Sequence, residues 1–256
     1  MELKKRSVIN VKKVGLIYQN NSQSITQALD KVSFKVKEGK IVCILGPSGC
    51  GKSTLLSLIS GLKNPSSGKI LHRGKRVSHP SRQRVIIFQN YSLFPWKTAI
   101  QNIEFVLKSK GISKDKIKFE AIKYLRLVEL EKFKDYYPHE LSGGMQQRIG
   151  IARALSCDPD VLLFDEPFAS LDPITKATIY KEIINISRKT KKTMIFVTHN
   201  IEEALFLGDK IIVLSGSPGQ IIKKISIDFP KGDNLSEVKS LPKFIELETQ
   251  ILNLLN

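Results

Sequence analysis

A buried strand that leads directly into a glycine-rich loop constrains this chain more than any other feature. The strand is the continuous apolar segment Ile41–Leu45, and the loop that follows fits the pattern GxxxxGK[ST]. Glycines at these spacings let backbone N–H groups surround phosphate oxygens at the start of a helix, which we predict over Ser53–Ser60. In such a loop the lysine bridges the β- and γ-phosphates and the serine holds magnesium. The residues expected to contact the phosphates are Gly46, Pro47, Ser48, Gly49, Cys50, Gly51, Lys52, Ser53 and Thr54.

A second apolar strand ends in two adjacent acids. Val161–Phe164 is followed by Asp165 and Glu166. Asp165 has the chemistry to join a magnesium shell, and Glu166 has the chemistry to polarise an attacking water. In isolation the two acids could instead cap the helix that follows. Because the chain also has a phosphate loop, the stronger interpretation is that the two acids belong to a site that hydrolyses a nucleotide.

A third motif lies between the phosphate loop and the two acids in sequence. Residues 141–148 have the sequence LSGGMQQR, so Ser142, Gly143 and Gly144 precede a helix predicted over Met145–Ser156. They form a second set of N–H donors at a helix start. A second anion site makes sense if two copies pair head to tail, each serine loop closing on the γ-phosphate held by the other copy. The residues alone leave open an ordinary serine cap with flexible glycines.

The order of apolar segments predicts an α/β protein with a mostly parallel sheet. Strands alternate with helices in the second half of the chain, which is the βαβ pattern. Alternating apolar and polar positions predict partly antiparallel strands in the first 45 residues. A helical stretch from 98 to 156 interrupts the alternation and predicts an inserted helical sub-domain. The other predicted strands are Lys69–His72, Arg84–Phe88, Val161–Phe164, Thr193–Val197 and Lys210–Leu214, with turns at Asn64–Gly68 and Arg73–Pro80. The later predicted helices are Ile174–Lys189 and Ile201–Leu207, followed by a polar link at Lys231–Lys239 and a tail helix at Pro242–Leu255.

Charge and hydropathy narrow the classes of partner. The chain carries 41 Lys and Arg against 24 Asp and Glu, a net charge of +17. That excess favours anionic partners, but the basic residues are spread along the whole chain, without the aromatic-interleaved stripe of a nucleic-acid binder. No apolar segment approaches the ~18–20 residues of a membrane helix, and Met1–Arg6 is not followed by the core of a signal peptide. We therefore expect a soluble protein that stays inside the cell.

In their order and spacing, these three motifs resemble those of the ATPase subunit of ABC transporters, and the resemblance covers nearly the whole chain. It implies a P-loop NTPase fold with a mostly parallel central sheet, an N-terminal antiparallel β sub-domain and an inserted helical sub-domain. It also implies an ATPase domain over residues 1–230, with its helical sub-domain at about 98–156. Residues 231–256 would be a polar link and a C-terminal helix.

The resemblance assigns roles that the residues alone do not rank. Gln89 matches the Q-loop glutamine, which touches magnesium and water and reports to the membrane subunit. His199 matches the switch histidine that contacts the γ-phosphate, and Ser170-Leu-Asp172 matches the D-loop at the dimer seam. Tyr18 falls where the family places an aromatic that stacks on adenine, although an aromatic near a strand end is more commonly part of the core. The implied sites are catalytic Lys52, Gln89, Glu166 and His199, magnesium ligands Ser53, Gln89 and Asp165, and further nucleotide contacts at Tyr18, Ser142, Gly143, Gly144 and Gln146.

Shorter motifs resemble those of importers for nitrate, sulfonates and taurine, and related importers of a thiamin-precursor pyrimidine share them. They are Phe94-Pro-Trp96-Lys-Thr, Pro167-Phe-Ala-Ser-Leu-Asp172, Ser217-Pro-Gly-Gln-Ile221 and the short tail helix. Two positions depart from the pattern, with Gln146 where many members carry Arg and Ser81 where Asp is common.

The resemblance therefore implies a peripheral ATPase at the cytoplasmic face of the cell membrane, with ATP and Mg²⁺ as its ligands. Its partners would be an identical or related ATPase subunit, integral membrane permease subunits and, indirectly, an extracytoplasmic solute-binding protein, without nucleic acid. The apolar, aromatic segment Tyr91–Trp96 suits docking to a permease helix, although Phe94 and Trp96 could instead cap the core of the helical sub-domain. A soluble ABC ATPase acting on ribosomes or DNA remains a rival, but such proteins usually have two cassettes or a long insert, and only about fifty residues separate Gln89 from Ser142. A kinase or GTPase would leave the serine–glycine loop unexplained.

Overall fold

The computed structural model describes residues 7–19, 25–89, 92–169, 171–230, 232 and 234–255. Three predicted features therefore lie partly outside the described residues: Tyr91 of the docking segment, Ser170 of the D-loop motif, and positions 231 and 233 of the link. Within those ranges, none of the helices combines the length and the apolar character that a bilayer crossing requires.

A six-stranded sheet forms the centre of the protein. Its strand order is β10-β9-β3-β8-β7-β6, and all neighbours are parallel except β10, which runs antiparallel to β9. The strands are β3 (Ile41–Leu45), β6 (Arg84–Ile87), β7 (Val161–Asp165), β8 (Thr193–Thr198), β9 (Lys210–Leu214) and β10 (Ile221–Ser226). The predicted parallel sheet is confirmed, and β10 is an addition to it.

A second, antiparallel sheet comes from the N-terminal part of the chain. Its order is β2-β1-β4-β5, which confirms the predicted antiparallel strands. The strands are β1 (Ser7–Gln19), β2 (Ile25–Lys37), β4 (Ser67–His72) and β5 (Lys75–Arg76). Because β5 lies in a segment predicted only as turns, Arg73–Pro80, that part of the prediction was incomplete.

Helices cover the central sheet and fill the insertion between β6 and β7. The insertion contains α2 to α4, joined by two short 3₁₀ turns at Glu131–Phe133 and Pro138–Glu140, which agrees with the predicted helical stretch. The helices are α1 (Lys52–Ser60), α2 (Ala99–Ser109), α3 (Lys114–Leu127), α4 (Gly143–Ser156), α5 (Pro173–Thr190), α6 (Ile201–Leu207), α7 (Leu235–Lys239) and α8 (Pro242–Leu255).

The predicted polar link was wrong in one respect, because it contains the short helix α7. Asn234 caps this helix by accepting a hydrogen bond from the N–H of Ser236, and Val238 is buried against the core. A cap and one buried side chain per turn suffice for a helix that packs on its neighbours, even in a polar segment.

Strand β3 shows how the core divides into two layers. All five of its residues are buried. Ile41, Cys43 and Leu45 pack into the apolar cluster on the helical side, whereas Val42 and Ile44 pack into the cluster that contains α1 and the antiparallel sheet. Successive side chains of a strand point to opposite faces, so a strand covered on both sides is apolar throughout.

The sheet order brings the sequence motifs to one edge. The phosphate loop follows β3, His199 follows β8, the two acids end β7, and Gln89 follows β6 by one intervening residue. These four strands are consecutive neighbours. Because carboxyl ends of parallel strands share an edge, motifs more than a hundred residues apart are assembled there.

Candidate functional site

The phosphate loop turns sharply into α1 through glycines in the left-handed region. Gly49 and Gly51 have φ of 78° and 89°, and Gly51 is the N-cap residue of α1. A Cβ on Gly51 would lie 2.8 Å from the carbonyl oxygen of Ala28. A side chain at this position would therefore clash with backbone of β2, and the loop requires glycine there.

The lysine of the loop is held inside it. The Lys52 side chain is buried, and its Nζ donates hydrogen bonds of 2.9 Å to the carbonyl oxygens of Gly46 and Pro47. The same ammonium group lies 3.7 Å from Oε1 of Glu166. The loop therefore fixes one positive charge where the first and second motifs meet.

Cys50 packs its side chain beneath the loop. Its side chain is fully buried, and burial raises the pKa of the thiol, which the charge of Lys52 offsets only in part. A Cβ on Gly46 would lie 2.8 Å from this sulfur, so the thiol fills the space beneath the loop. The side chain serves packing, and the N–H of Cys50 donates a 3.4 Å hydrogen bond to the carbonyl oxygen of Pro47 within the loop.

The two predicted magnesium ligands of the first and second motifs meet directly. Ser53 Oγ donates a 2.7 Å hydrogen bond to Oδ1 of Asp165. Burial raises the pKa of Asp165, and the nearby Glu166 carboxylate adds to that shift while the Ser53 hydrogen bond opposes it. A cation bound beside this carboxylate would remove the cost of burying its charge.

This pair suits magnesium in its usual nucleotide-bound form. The described residues contain no group of three or more His, Cys, Asp and Glu side chains able to enclose a metal. Mg²⁺ is commonly held by one or two protein oxygens together with waters and substrate phosphates. Ser53 and Asp165 provide that partial set.

Glu166 and His199 form a second pair at the same edge. His199 Nδ1 lies 3.0 Å from Oε2 of Glu166. Glu166 has a φ of 44°, and its N–H donates a 3.1 Å hydrogen bond to the carbonyl oxygen of Val197 in β8. The carboxylate is thus flanked by an imidazole on one oxygen and by Lys52 on the other. Neither acid caps α5, whose N-cap is Asp172, so the capping alternative for these acids is wrong.

Tyr18 forms one wall of the opening above the phosphate loop. Its hydroxyl lies 3.1 Å from Thr54 Oγ1 and accepts a 2.9 Å hydrogen bond from Lys63 Nζ, which also sits 4.4 Å above the ring centre. Burial disfavours ionisation of Tyr18, but the hydrogen bond and charge of Lys63, with Thr54, outweigh it and lower the pKa. The ring is half-buried and packs against the apolar cluster that contains α1 and the antiparallel sheet.

A cavity of about 340 Å³ lies between Tyr18 and the phosphate loop. The sequence motifs supply most of its lining, but they did not identify Thr26 and Ala28 of β2 or Lys63 beside it, since no pattern marks these residues. Ser217 was noted only as part of a subgroup motif. The lining residues are Tyr18, Thr26, Ala28, Ser48, Gly49, Gly51, Lys52, Ser53, Thr54, Glu166 and Ser217.

Gln89 lies at the same sheet edge, exposed, two residues beyond the end of β6. The strand predicted to reach Phe88 ends at Ile87. From this position Gln89 could approach the site from the side of the helical insertion. Its role in contacting magnesium and water stays a prediction.

The serine–glycine loop is separate from the cavity. Ser142 is exposed and caps α4, accepting a hydrogen bond from the N–H of Met145 at 3.3 Å. Gly144 packs so closely on α5 that a Cβ would lie 2.7 Å from Thr175 Cγ2. Gln146 Nε2 donates to the carbonyl oxygen of Leu141 at 3.1 Å. The described residues that line the cavity include none of Ser142, Gly143, Gly144 and Gln146.

The chain matches known proteins along most of its length. Residues 29–169 match the family described as ABC transporter. An uncharacterized ABC transporter ATP-binding protein of Methanocaldococcus jannaschii is 42% identical, over 99% of this chain and 95% of that protein. The taurine import ATP-binding protein of Rhizobium johnstonii is 44% identical, over 90% of this chain and 89% of the relative. The nitrate import ATP-binding protein of Synechocystis is 43% identical, over 89% of this chain and 88% of that relative.

A solved structure has the same fold. It is the dimeric, post-hydrolysis state of an ATP-binding cassette bound to ADP and phosphate, with a TM-score of 0.75 and 32% sequence identity, covering 87% of this chain and all of that chain. The expected P-loop NTPase architecture is therefore confirmed.

Proposed function

This chain belongs to the ABC transporter family as an ATP-binding protein, and we propose that it is the ATPase subunit of an importer for a small anion such as taurine, another sulfonate or nitrate. The observation that carries the ATPase assignment is the single sheet edge at which Lys52, Ser53, Asp165, Glu166 and His199 converge. The import direction and the class of cargo rest on relatives named for taurine, sulfonate and nitrate import.

The charged groups around Glu166 suit it to act as the base in ATP hydrolysis. A water near its carboxylate is polarised, and the water oxygen attacks the γ-phosphorus while its proton passes to the carboxylate. The bond from the γ-phosphorus to the β–γ bridging oxygen breaks, and ADP leaves with that electron pair. Lys52 neutralises charge that develops on the phosphate oxygens. His199, 3.0 Å from Oε2, keeps the carboxylate directed at the water.

Magnesium would be held by Ser53 and Asp165, which meet at 2.7 Å. When bound, it supplies positive charge to the β- and γ-phosphate oxygens.

We propose further that each pocket is completed by a second ATPase subunit. Ser142 is exposed at the start of a 14-residue helix, yet it lies outside the cavity of its own chain. The first N–H groups of a helix form a partial positive charge suited to an anion. A head-to-tail pair would present these donors to the γ-phosphate held by the other subunit, and the dimeric arrangement of the solved cassette supports such a pair.

The permease would contact an exposed aromatic surface beside Gln89. We define this surface as Phe88, Phe94, Trp96 and Phe105. Trp96 is 69% exposed, and Phe94 packs edge-on against Phe105 at 4.9 Å between ring centres. Exposed aromatic clusters of this kind are typical of protein interfaces. Docking there would place the subunit at the cytoplasmic face of the membrane, and a solute-binding protein would act on the permease from the other side.

The proposal is tested by reconstitution. The chain is co-expressed with its permease and placed in liposomes together with the matching solute-binding protein. We expect ATP-dependent uptake of one of taurine, an alkanesulfonate or nitrate. Uptake of a pyrimidine instead would overturn the anion assignment. Tight binding of RNA or DNA at moderate salt, with no permease association, would overturn the transport function.

A further inference from the structure

Glu203 is a buried carboxylate beside the site that the hydrolysis described above leaves without a role. It lies on α6 and is 5% exposed. Oε1 accepts a 2.6 Å hydrogen bond from the hydroxyl of Tyr180, and Oε2 accepts one from the hydroxyl of Thr198. An ionised carboxylate is costly to bury unless it is hydrogen-bonded. Both oxygens of Glu203 meet that condition.

Glu203 holds the chain on both sides of His199. Thr198, whose hydroxyl donates to the carboxylate, is the residue before it. Asn200, the residue after it, accepts a 2.9 Å hydrogen bond from the N–H of Glu203 and donates its own N–H to Thr198 Oγ1 at 3.0 Å. The turn from Thr198 to Asn200 is thereby fixed at both ends, while the His199 ring between them is 56% exposed.

The same carboxylate connects this turn to another helix. Tyr180 lies on α5, which starts at the cap residue Asp172 in the motif expected at the dimer seam. Burial and the charge of Glu203 raise the pKa of Tyr180, so its hydroxyl stays a donor. A small cavity of about 40 Å³, the size of one water, borders Glu203, Glu166 and His199 together.

We propose that Glu203 is a positioning residue for hydrolysis, whose carboxylate, through the hydroxyl of Thr198, holds the turn from Thr198 to Asn200 in the conformation that directs His199 Nδ1 onto Glu166. The inference rests on the proposed function, since the His199–Glu166 pair matters only if this site hydrolyses ATP. Glu203 acts through His199 and does not itself touch the nucleotide.

Two isosteric variants test the hydrogen bond between Thr198 and Glu203, one from each residue. Glu203→Gln replaces an acceptor oxygen by a donor, and Thr198→Val removes the hydroxyl. Each is expected to lower kcat about 10-fold, the scale on which misplaced catalytic groups act, with KM for ATP unchanged. Thr198→Ser keeps the hydroxyl and is expected to retain the wild-type rate. Glu202→Gln is the matched control, because Glu202 lies on the same helix but is 40% exposed and pairs with Lys239.

A spectroscopic measurement separates positioning from loss of stability. The chain has four histidines, so ¹⁵N-histidine NMR without nucleotide resolves His199, assigned by its absence in His199→Ala. We expect the Nδ1 resonance in Glu203→Gln and Thr198→Val to move toward its position in Glu166→Ala, where the partner of His199 is removed. Thr198→Ser and Glu202→Gln should leave it in place.

The outcomes are distinguishable. An unmoved His199 resonance in both isosteric variants, or an unchanged kcat, would overturn the positioning role even if their Tm falls. A His199→Ala variant with the full wild-type rate would instead overturn the assignment of the hydrolytic site itself.

Discussion

Ser53 Oγ lies 2.7 Å from Oδ1 of Asp165, although 112 residues separate them in the chain. Adjacent ligands of an octahedral magnesium, each about 2.1 Å from the metal, are about 3 Å apart. The two oxygens therefore already have nearly the spacing of a shared cation. The parallel sheet produces this proximity, because β3 and β7 flank β8 and end at the same edge.

Glu166→Gln is expected to leave ATP binding intact and to slow hydrolysis by ~10²-fold or more, because the amide no longer accepts the proton of the attacking water. The variant should also accumulate as an ATP-bound dimer. Single-turnover hydrolysis and size-exclusion chromatography with ATP measure the two effects. Glu246→Gln, at an exposed ion pair on α8, is the control. A fully active Glu166→Gln would contradict the role of Glu166.

Tyr18→Ala is expected to raise the Kd for ATP about 10-fold, because stacking of a base on an aromatic ring contributes about 1–3 kcal/mol. Tyr18→Phe keeps the ring and loses only the contacts to Thr54 and Lys63, so its Kd should stay near the wild-type value. Titration with a fluorescent ATP analogue measures both. Equal affinities of the Ala variant and the wild type would show that Tyr18 does not stack on adenine.

Glu182 makes stability depend on pH. Burial raises its pKa from 4.5 to about 7, although Arg148 lies 2.9 Å away. Between these values the folded chain keeps a proton that the unfolded chain has released. The stabilisation is therefore complete below pH 4.5 and is lost as the pH rises through about 7, a change of roughly 3 kcal/mol in the free energy of unfolding.

Urea unfolding at pH 5 and pH 8 checks this for the wild type and Glu182→Gln. We expect the wild type to lose roughly 2.5 kcal/mol more than the variant between the two pH values, since a small part of the effect is already lost at pH 5. Groups that titrate in both proteins cancel in the comparison. Identical losses would mean that Glu182 has an ordinary pKa.

Trp96→Ala is expected to leave the basal ATPase rate unchanged and to reduce transport-coupled ATPase activity at least about 10-fold, the effect of removing an interface anchor residue. Trp96 is 69% exposed and lies outside the nucleotide cavity. Phe119→Ala, at another exposed aromatic on α3, is the matched control. Normal transport by the Trp96 variant would remove this surface from the permease interface.

The sequence predicts the phosphate loop and the central strands because their chemistry requires contiguous residues. The GxxxxGK[ST] spacing and the five apolar residues of β3 leave few alternatives. Edge strand β10 lacks such a signal, since Ile225 is its one buried residue in the described structure. Helix α7 was missed for a similar reason, because one buried valine in a polar segment produces no periodic pattern.

The supporting contacts of the site could not be predicted from the sequence. Glu202 and Glu203 are adjacent and chemically identical, yet Glu202 is half-exposed and pairs with Lys239, whereas Glu203 is buried and accepts hydrogen bonds from two hydroxyls. Neighbouring helical residues point about 100° apart, and only the tertiary packing decides which of them faces inward. The same holds for Lys63, which reaches Tyr18 from a segment without any motif.

The central claim is that each nucleotide pocket is shared between two subunits, and paired variants test it most directly. Lys52→Ala and Ser142→Arg are each expected to be inactive alone. Co-expressed with different tags and purified as mixed dimers, they should regain up to about half of the wild-type rate, because one of two head-to-tail pockets then has both halves intact. The reciprocal mixed dimer, a doubly substituted chain with a wild-type chain, should be inactive. Activity in the second mixture and none in the first would show that each chain hydrolyses ATP with its own Ser142, and would contradict the account.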